Sequence, residues 1–304
     1  MVEKLAAIDI GSNGIRLLIG EVDDHGDIYA LKRLREPVRL GKDAFAQGQI
    51  SKKTANKALE SFEKFARLMR RHDVDRVRAV ATSALRESSN REQFVSLVRK
   101  KTGIKIEIIS GLQEAKLIHS AVSGKVSLEN RNAVLIDIGG GSVEITISVD
   151  GKLKAMKSFK LGTVRLLQIL MERKLQEKSL RYLLQRSMGD LHEFVERTTK
   201  GEPIDFCVGT GGNFETLGKL RVMLLNRSSV SSMTVFELDA VINHLLAMSL
   251  KERVQFLRLR PDRADVIVPA GLIVHTIMRK IPCEMLVIPH VGLREGILTK
   301  LAEG

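Results

Sequence analysis

The stretch Asp9-Ile10-Gly11-Ser12-Asn13-Gly14-Ile15-Arg16-Leu17-Leu18-Ile19 decides the fold, because it returns in register as Asp137-Ile138-Gly139-Gly140-Gly141-Ser142-Val143-Glu144-Ile145-Thr146-Ile147, a displacement of 128 positions from Asp9 to Asp137. An apolar run leads into each copy (residues 5–8 and 133–136) and another leads out, so each reads as strand, tight Gly/Ser/Asn turn, strand. A single Asp-x-Gly between apolar runs is an ordinary hairpin turn. Two matched copies point instead to a duplicated unit and to paired anion cradles facing each other. Glycine lets backbone N–H groups approach an anion, Ser and Asn side chains add donors, and an Asp ending the incoming strand can hold a hydrated divalent cation.

The chain outside the two hairpins supports a repeat. Strands are expected at 5–9, 15–22 and 28–38, a helix at Lys52–Arg71 capped by Ser51, a strand at 77–81, a helix after 89–90 and a strand at 104–109. Periodicity is lost between 122 and 132, which places the domain boundary there: domain I at 1–124 and domain II at 125–304, with the terminal helix 292–304 free to pack back on domain I. Domain II repeats the order with strands at 133–137, Val143–Val149 and 153–159. Helices follow at 163–173 and 180–198, then a strand at 205–208 and the turn Gly209-Thr210-Gly211-Gly212-Asn213. A strand at 285–288 and a last helix from 292 close the chain. The fold class is α/β.

Composition narrows the partners. The 304 residues carry a formal net charge of +13, with Lys and Arg dispersed along the chain. Such a surface attracts polyanions, yet there is no Trp, only two Tyr, and no interleaving of basic and aromatic residues for stacking on bases. A highly phosphorylated small molecule or an inorganic chain suits the charge better than nucleic acid; solvated helix faces account equally for any one basic cluster. The two cysteines, Cys207 and Cys283, have no metal-ligand spacing and suit a reducing cytosol. The longest apolar stretch, near 266–274, is broken by Pro269, so no membrane partner and a cytoplasmic location are expected.

Among the acids, Glu114 is distinctive. Ser110 and Gln113 have the spacing of a capping box, which occupies Gln113 and leaves Glu114 for another task. At 100° per residue, Glu114 falls on the stripe of Leu117, Ile118, Ala121 and Val122, where partial desolvation would raise its pKa toward that of a general base. A first-turn Glu favoured by the helix dipole gives the same pattern. Arg16 and Glu144 stand at equivalent positions of the two hairpins with opposite charge; the former can clamp a phosphate oxygen and the latter orient water or a metal-bound water. Solvent-facing strand residues are the other reading of both.

These segments together resemble the Ppx/GppA family of exopolyphosphatases and guanosine pentaphosphate phosphatases, within the actin-like ATPase superfamily. The resemblance runs over nearly the whole chain: 9–18 and 137–144 as two phosphate loops, 81–86 with Arg86, 109–115 with Glu114, 209–213 as a third glycine-rich turn, and 263–267 with 292–296 as C-terminal signatures. It implies two related actin-like (ribonuclease H-like) domains with a substrate cleft between them, in the short form without further helical domains. It implies Glu114 and Glu144 as catalytic residues and Asp9 and Asp137 as ligands of Mg²⁺ or its waters. Phosphate binding falls to Gly11, Ser12, Asn13, Arg16, Arg86, Gly139, Gly140, Gly141, Ser142, Gly209, Gly211 and Gly212. The implied reaction is hydrolysis of terminal phosphoanhydride bonds of inorganic polyphosphate. Removal of the 5′ phosphate of pppGpp is the alternative within the family, and a catalytically silent polyphosphate or nucleotide sensor, or a kinase of the same superfamily, the alternatives outside it. The residues leave a homodimer open.

Overall fold

The computed structural model describes residues 3–24 and 27–303. Two compact units emerge, Met1–Ala121 with Gly292–Gly304 and Val122–Val291, each with its own sheet and core. The expected boundary at 124/125 thus falls three residues earlier, inside a helix, and the terminal segment 292–304 belongs with the first unit.

The first unit opens with β1 (Glu3–Gly11), β2 (Gly14–Val22) and β3 (Ile28–Glu36), an antiparallel meander. The strand expected to reach residue 38 stops at Glu36 because Pro37 offers no N–H to the ladder. Next come α1 (Leu40–Gln47), which the sequence reading did not anticipate, and α2 (Lys52–Arg71). Ser51 caps α2 by accepting the Thr54 N–H at 3.2 Å, as its position before the apolar period implied. β4 (Arg76–Ala81), α3 (Ser83–Arg86), α4 (Arg91–Thr102), β5 (Ile106–Ile108) and α5 (Gly111–Ser123) complete the amino-terminal part. The sheet order is β3-β2-β1-β4-β5, with β4 and β5 parallel to β1.

One face of this sheet presents Ile8, Ile10, Leu17 and Ile19 to Phe62 and Phe65 of α2. Those Phe side chains are fully buried, and the strict alternation along β1 and β2 is what sends every second residue to the other face.

The second unit repeats the meander as β6 (Asn132–Ile138), β7 (Val143–Val149) and β8 (Lys152–Phe159), followed by α6 (Thr163–Glu172). The helix expected over 180–198 is two, α7 (Leu180–Ser187) and α8 (Leu191–Thr199). The break falls at Gly189 and Asp190, residues that disfavour a helix interior. β9 (Phe206–Thr210) lies parallel to β6 and leads into α9 (Gly212–Leu225). The remainder is β10 (Ser232–Thr234), α10 (Val235–Ala247), α11 (Leu250–Gln255), α12 (Pro261–Ala264), α13 (Ile267–Lys280) and β11 (Met285–Val287). From the meander inward, β8-β7-β6-β9-β11 follows the first sheet's order β3-β2-β1-β4-β5, with β10 added at the edge, so the duplication seen in sequence is a duplication of topology.

α14 (Leu293–Ala302) returns to the first unit and packs on β1 and β2. Gly296 permits this: a Cβ there would overlap the carbonyl of Leu117, so only glycine lets α14 lie directly on the α5 backbone. Among the described residues, no helix is long and apolar enough to cross a membrane.

Candidate active site

In the first unit the register of β1 against β2 sets Asp9 opposite Arg16. The consequence is an ion pair, Arg16 Nη1 to Asp9 Oδ2 at 2.6 Å, with Asp9 only 4% exposed. The turn Gly11-Ser12-Asn13-Gly14 that joins the strands is anchored from several sides. Buried Ser12 shares a hydrogen bond with Ser83 at the start of α3, 2.9 Å between hydroxyl oxygens, and its carbonyl accepts the Gly41 N–H at 2.9 Å. Arg35 Nη2 donates to the Asn13 carbonyl at 2.9 Å.

α3 carries the next element. Its last residue, Arg86, donates to the carbonyl of Ile109 at 2.7 Å and stands 3.7 Å from Glu114 Oε2. Glu114 itself sits where the sequence pattern set it. The Ser110 N–H donates to Gln113 Oε1 at 2.8 Å and the Gln113 N–H to Ser110 Oγ at 3.2 Å, so the capping box forms and fixes the first turn of α5. Glu114 is 6% exposed, on the same buried stripe as Leu117, Ile118, Ala121 and Val122. A carboxylate so buried is sustained by charged or polar neighbours, and Arg86 is one. Ser12, Ser83, Arg86 and Glu114 therefore form one connected patch of the first unit.

In the second unit the same ladder position holds two acids. Asp137 faces Glu144 across β6 and β7, where the first unit pairs Asp9 with Arg16. A carboxylate oxygen of each lies within 4.8 Å of the other, and Glu144 is 2% exposed. Like charges directly opposite on a ladder repel, the more so when buried. Asp137 accepts from the Thr210 hydroxyl at 2.7 Å, and Glu144 from the Ser158 hydroxyl at 3.0 Å. Those neutral donors orient the two carboxyl groups, an all-oxygen set that fits a hard divalent cation.

The turn Gly139-Gly140-Gly141-Ser142 is clasped by the start of α6. The N–H groups of Gly162, Thr163, Val164 and Arg165 donate to the carbonyls of Gly141, Gly139, Gly140 and Gly140, and Arg165 Nε adds a bond to Gly141 at 2.9 Å. With its carbonyls held on that side, the turn can direct N–H groups elsewhere, as an anion cradle requires. A Cβ at Gly162 would overlap the backbone of Gly140 and Gly141. For Gly162→Ala we expect a loss of about 1–3 kcal/mol with the turn displaced, read as a lower denaturant midpoint together with weaker phosphate binding; unchanged binding would show that the clasp does not shape the turn.

The third glycine-rich segment divides between two roles. Gly209 was expected in a turn, but β9 extends through Thr210, and the Gly209 α-carbon lies against the Phe214 ring where no side chain would fit. Gly211 has φ +81°, a left-handed conformation suited to glycine, and sits beside Asp137. Gly212 lies under Arg263, whose Nη1 donates to Asn213 Oδ1, while Asn213 Nδ2 donates to the Ile138 carbonyl at 2.9 Å. Sequence reasoning missed Thr210, Ser158 and Arg165, and gave Arg263 no task. All four act through contacts distant in sequence, Thr210 on Asp137, Ser158 on Glu144, Arg165 on Gly141 and Arg263 on Asn213, and no local pattern marks them.

A family model described as the Ppx/GppA phosphatase family matches residues 18–303. The chain belongs to that family. Exopolyphosphatase 2 of Mycobacterium tuberculosis is 29% identical over 321 residues, covering 98% of each chain. A guanosine-5′-triphosphate,3′-diphosphate pyrophosphatase of Photobacterium profundum is 26% identical, covering 97% of this chain and 59% of its own. Among solved structures, an exopolyphosphatase from Cytophaga hutchinsonii superposes with a TM-score of 0.88 at 25% identity, covering 99% of this chain and 98% of that one. As a Ppx/GppA phosphatase, the protein is a hydrolase acting on phosphoanhydride bonds, and it shares the fold of the solved exopolyphosphatase.

Proposed function

We propose that the protein is an exopolyphosphatase that removes terminal phosphate from inorganic polyphosphate, with the glycine-rich hairpin turns holding phosphates and Glu114 acting as the base. The observation that carries this reading is the contrast between the hairpins. At equivalent ladder positions one pairs Asp9 with Arg16 and the other opposes Asp137 to Glu144, so the first brings its own cation and the second calls for one. Two related cradles of unlike charge suit a substrate carrying several adjacent phosphates. The relatives named exopolyphosphatase support the same substrate class.

In this reading Asp137 and Glu144 hold Mg²⁺, which when bound neutralises charge on the phosphates and fits the hard oxygen donors present. Asp9, expected as a metal ligand from sequence, instead fixes the direction of the Arg16 guanidinium, which clamps a phosphate oxygen. The N–H groups of Gly11, Ser12, Asn13, Gly140, Gly141, Ser142 and Gly212 and the Ser12 and Ser142 hydroxyls cradle the chain, whereas the Gly139 and Gly211 N–H groups, expected there from sequence, already donate to the carbonyls of Ser142 and Val291 at 3.0 and 3.3 Å. Arg86 binds the phosphoryl group under attack and stands beside the Glu114 carboxylate. Glu114 then takes a proton from the attacking water as the oxygen–phosphorus bond to the next unit breaks. Inorganic phosphate and a chain one unit shorter are the products. Alignment and charge neutralisation supply most of the acceleration, with no covalent intermediate on the protein.

The test is phosphate release measured separately from long polyphosphate, short polyphosphate, pppGpp and ATP, with and without Mg²⁺. Turnover of polyphosphate well above ATP supports the reading. Turnover of pppGpp alone would transfer it to the guanosine pentaphosphate branch, and tight binding without release would make the protein a sensor. For Arg86→Ala we expect the Michaelis constant to rise about tenfold or more; an unchanged constant would remove Arg86 from the substrate.

A further inference from the structure

The face of the first sheet turned away from Phe62 and Phe65 carries a row of charge. Register sets Asp9 beside Arg16 and Arg16 beside Arg35, so these three side chains lie on one face in adjacent strands, with Leu18 and Arg33 paired in the next row. α14 covers this face: Leu298 Cδ1 would lie 3.0 Å from a Cβ at Gly20, and Glu295 pairs with Arg33 at 2.5 Å. The neighbouring residue on α14 is Arg294, with its side chain 19% exposed.

Arg294 is the anomaly of this face. Its approach to Glu295 is 4.0 Å, at the limit of an ion pair, while the same carboxylate is held closer by Arg33 and accepts the Gly292 N–H at 3.0 Å. Burial pushes the Arg294 guanidinium below its ordinary value, and Arg16 and Arg33 push it the same way, whereas Glu295 and Asp9 oppose. Arg294 and Arg33 thus share the Glu295 carboxylate, in a partly buried setting where a cation is costly unless well paired. Arg35, on the same row, touches the Asn13 carbonyl and lies over Gly14, which ties the row to the turn at 11–14.

We propose that Arg294, drawn from the far end of the chain to the Asp9–Arg16 pair, is a substrate-binding residue that holds a phosphoryl group of the polyanion beyond the one hydrolysed, a role that presupposes the phosphoanhydride reading above. A planar guanidinium meets two phosphate oxygens at once, and a phosphate here would complete the charge balance of the cluster. Arg294 therefore sets affinity for substrates with at least three consecutive phosphates and leaves the bond-breaking step to Glu114.

Calorimetric binding of tripolyphosphate and steady-state hydrolysis of polyphosphate, measured on the full chain, test this for Arg294→Ala and Arg294→Lys, with thermal melts alongside. Tripolyphosphate binding about ten- to a hundredfold weaker, with maximal turnover within about threefold of the parent, is the expected result for Arg294→Ala. Arg294→Lys keeps the charge without the fork, so it should bind several-fold more weakly than the parent and still melt near it; this variant decides the matter where Arg294→Ala fails to fold. Parent-like affinity in a folded variant, with only the melting temperature lowered, would overturn the proposal and leave Arg294 a packing residue. A parent protein that neither binds tripolyphosphate nor releases phosphate would overturn the substrate reading itself, whereas a hydrolysing parent with an indifferent Arg294 removes this inference alone.

Discussion

Glu114→Gln is expected to lower maximal phosphate release by about 10²- to 10⁴-fold while the Michaelis constant stays near that of the parent. The change keeps the size of the side chain and its place on the buried stripe of α5, and removes only the capacity to accept a proton. The capping box uses Ser110 and Gln113, so the helix start is untouched and the fold should survive. Arg86 would lose a charged neighbour, which gives a second readout: tighter phosphate binding in the variant, since the guanidinium then has one fewer anion to satisfy. Turnover within tenfold of the parent would remove Glu114 as the base, and the reaction would need another acceptor.

The second large effect concerns the opposed acids of the other hairpin. For Asp137→Asn and Glu144→Gln we expect divalent-cation binding to weaken sharply and turnover to fall by about 10²- to 10³-fold, the loss expected when a metal's charge stabilisation of the transition state is withdrawn. The metal-free proteins should move in the opposite direction. Relieving like-charge repulsion across β6 and β7 should stabilise each by up to about 1 kcal/mol in a chelator-treated melt. That pairing of lower activity with higher metal-free stability separates a cation site from two acids that are merely structural. Variants destabilised in chelator, or indifferent to added Mg²⁺ where the parent responds, would sink the assignment. The corresponding change in the first hairpin, Asp9→Asn, should instead destabilise with or without metal, because it strips the counter-charge from Arg16.

Local chemistry made most of the fold legible. The two hairpins announced themselves through Gly and Asp at matched positions. The α2 cap at Ser51 and the α5 capping box at Ser110 and Gln113 each lie within a few residues of the groups they satisfy, so spacing alone revealed them. The same holds for Glu114, whose burial followed from a helical stripe. What escaped were features fixed by register or by contacts distant in sequence. No local pattern indicates that β9 continues through Thr210 so that its hydroxyl meets Asp137, or that Gly209 makes room for Phe214 rather than for a ligand. Asp9 illustrates the limit most clearly. Its match to Asp137 suggested the same task, yet the residue across the ladder, Arg16 in one copy and Glu144 in the other, divides their electrostatics. Arg294 and Arg35 were hidden for a related reason, since one arrives from the last helix and the other from an edge strand, and only the folded sheet lines them up with Arg16.

The return of α14 to the first unit has a consequence for how the chain is made. Residues 122–291 form an uninterrupted unit that can condense as soon as they leave the ribosome, whereas the amino-terminal sheet, synthesised earlier, must wait for residues 293–302 before its second face is covered. The half emerging first is thus the last to be sealed. In the interval Leu5, Ala7 and Leu18 lie open to solvent, and nascent chains stalled short of residue 293 should be the species most readily captured by chaperones.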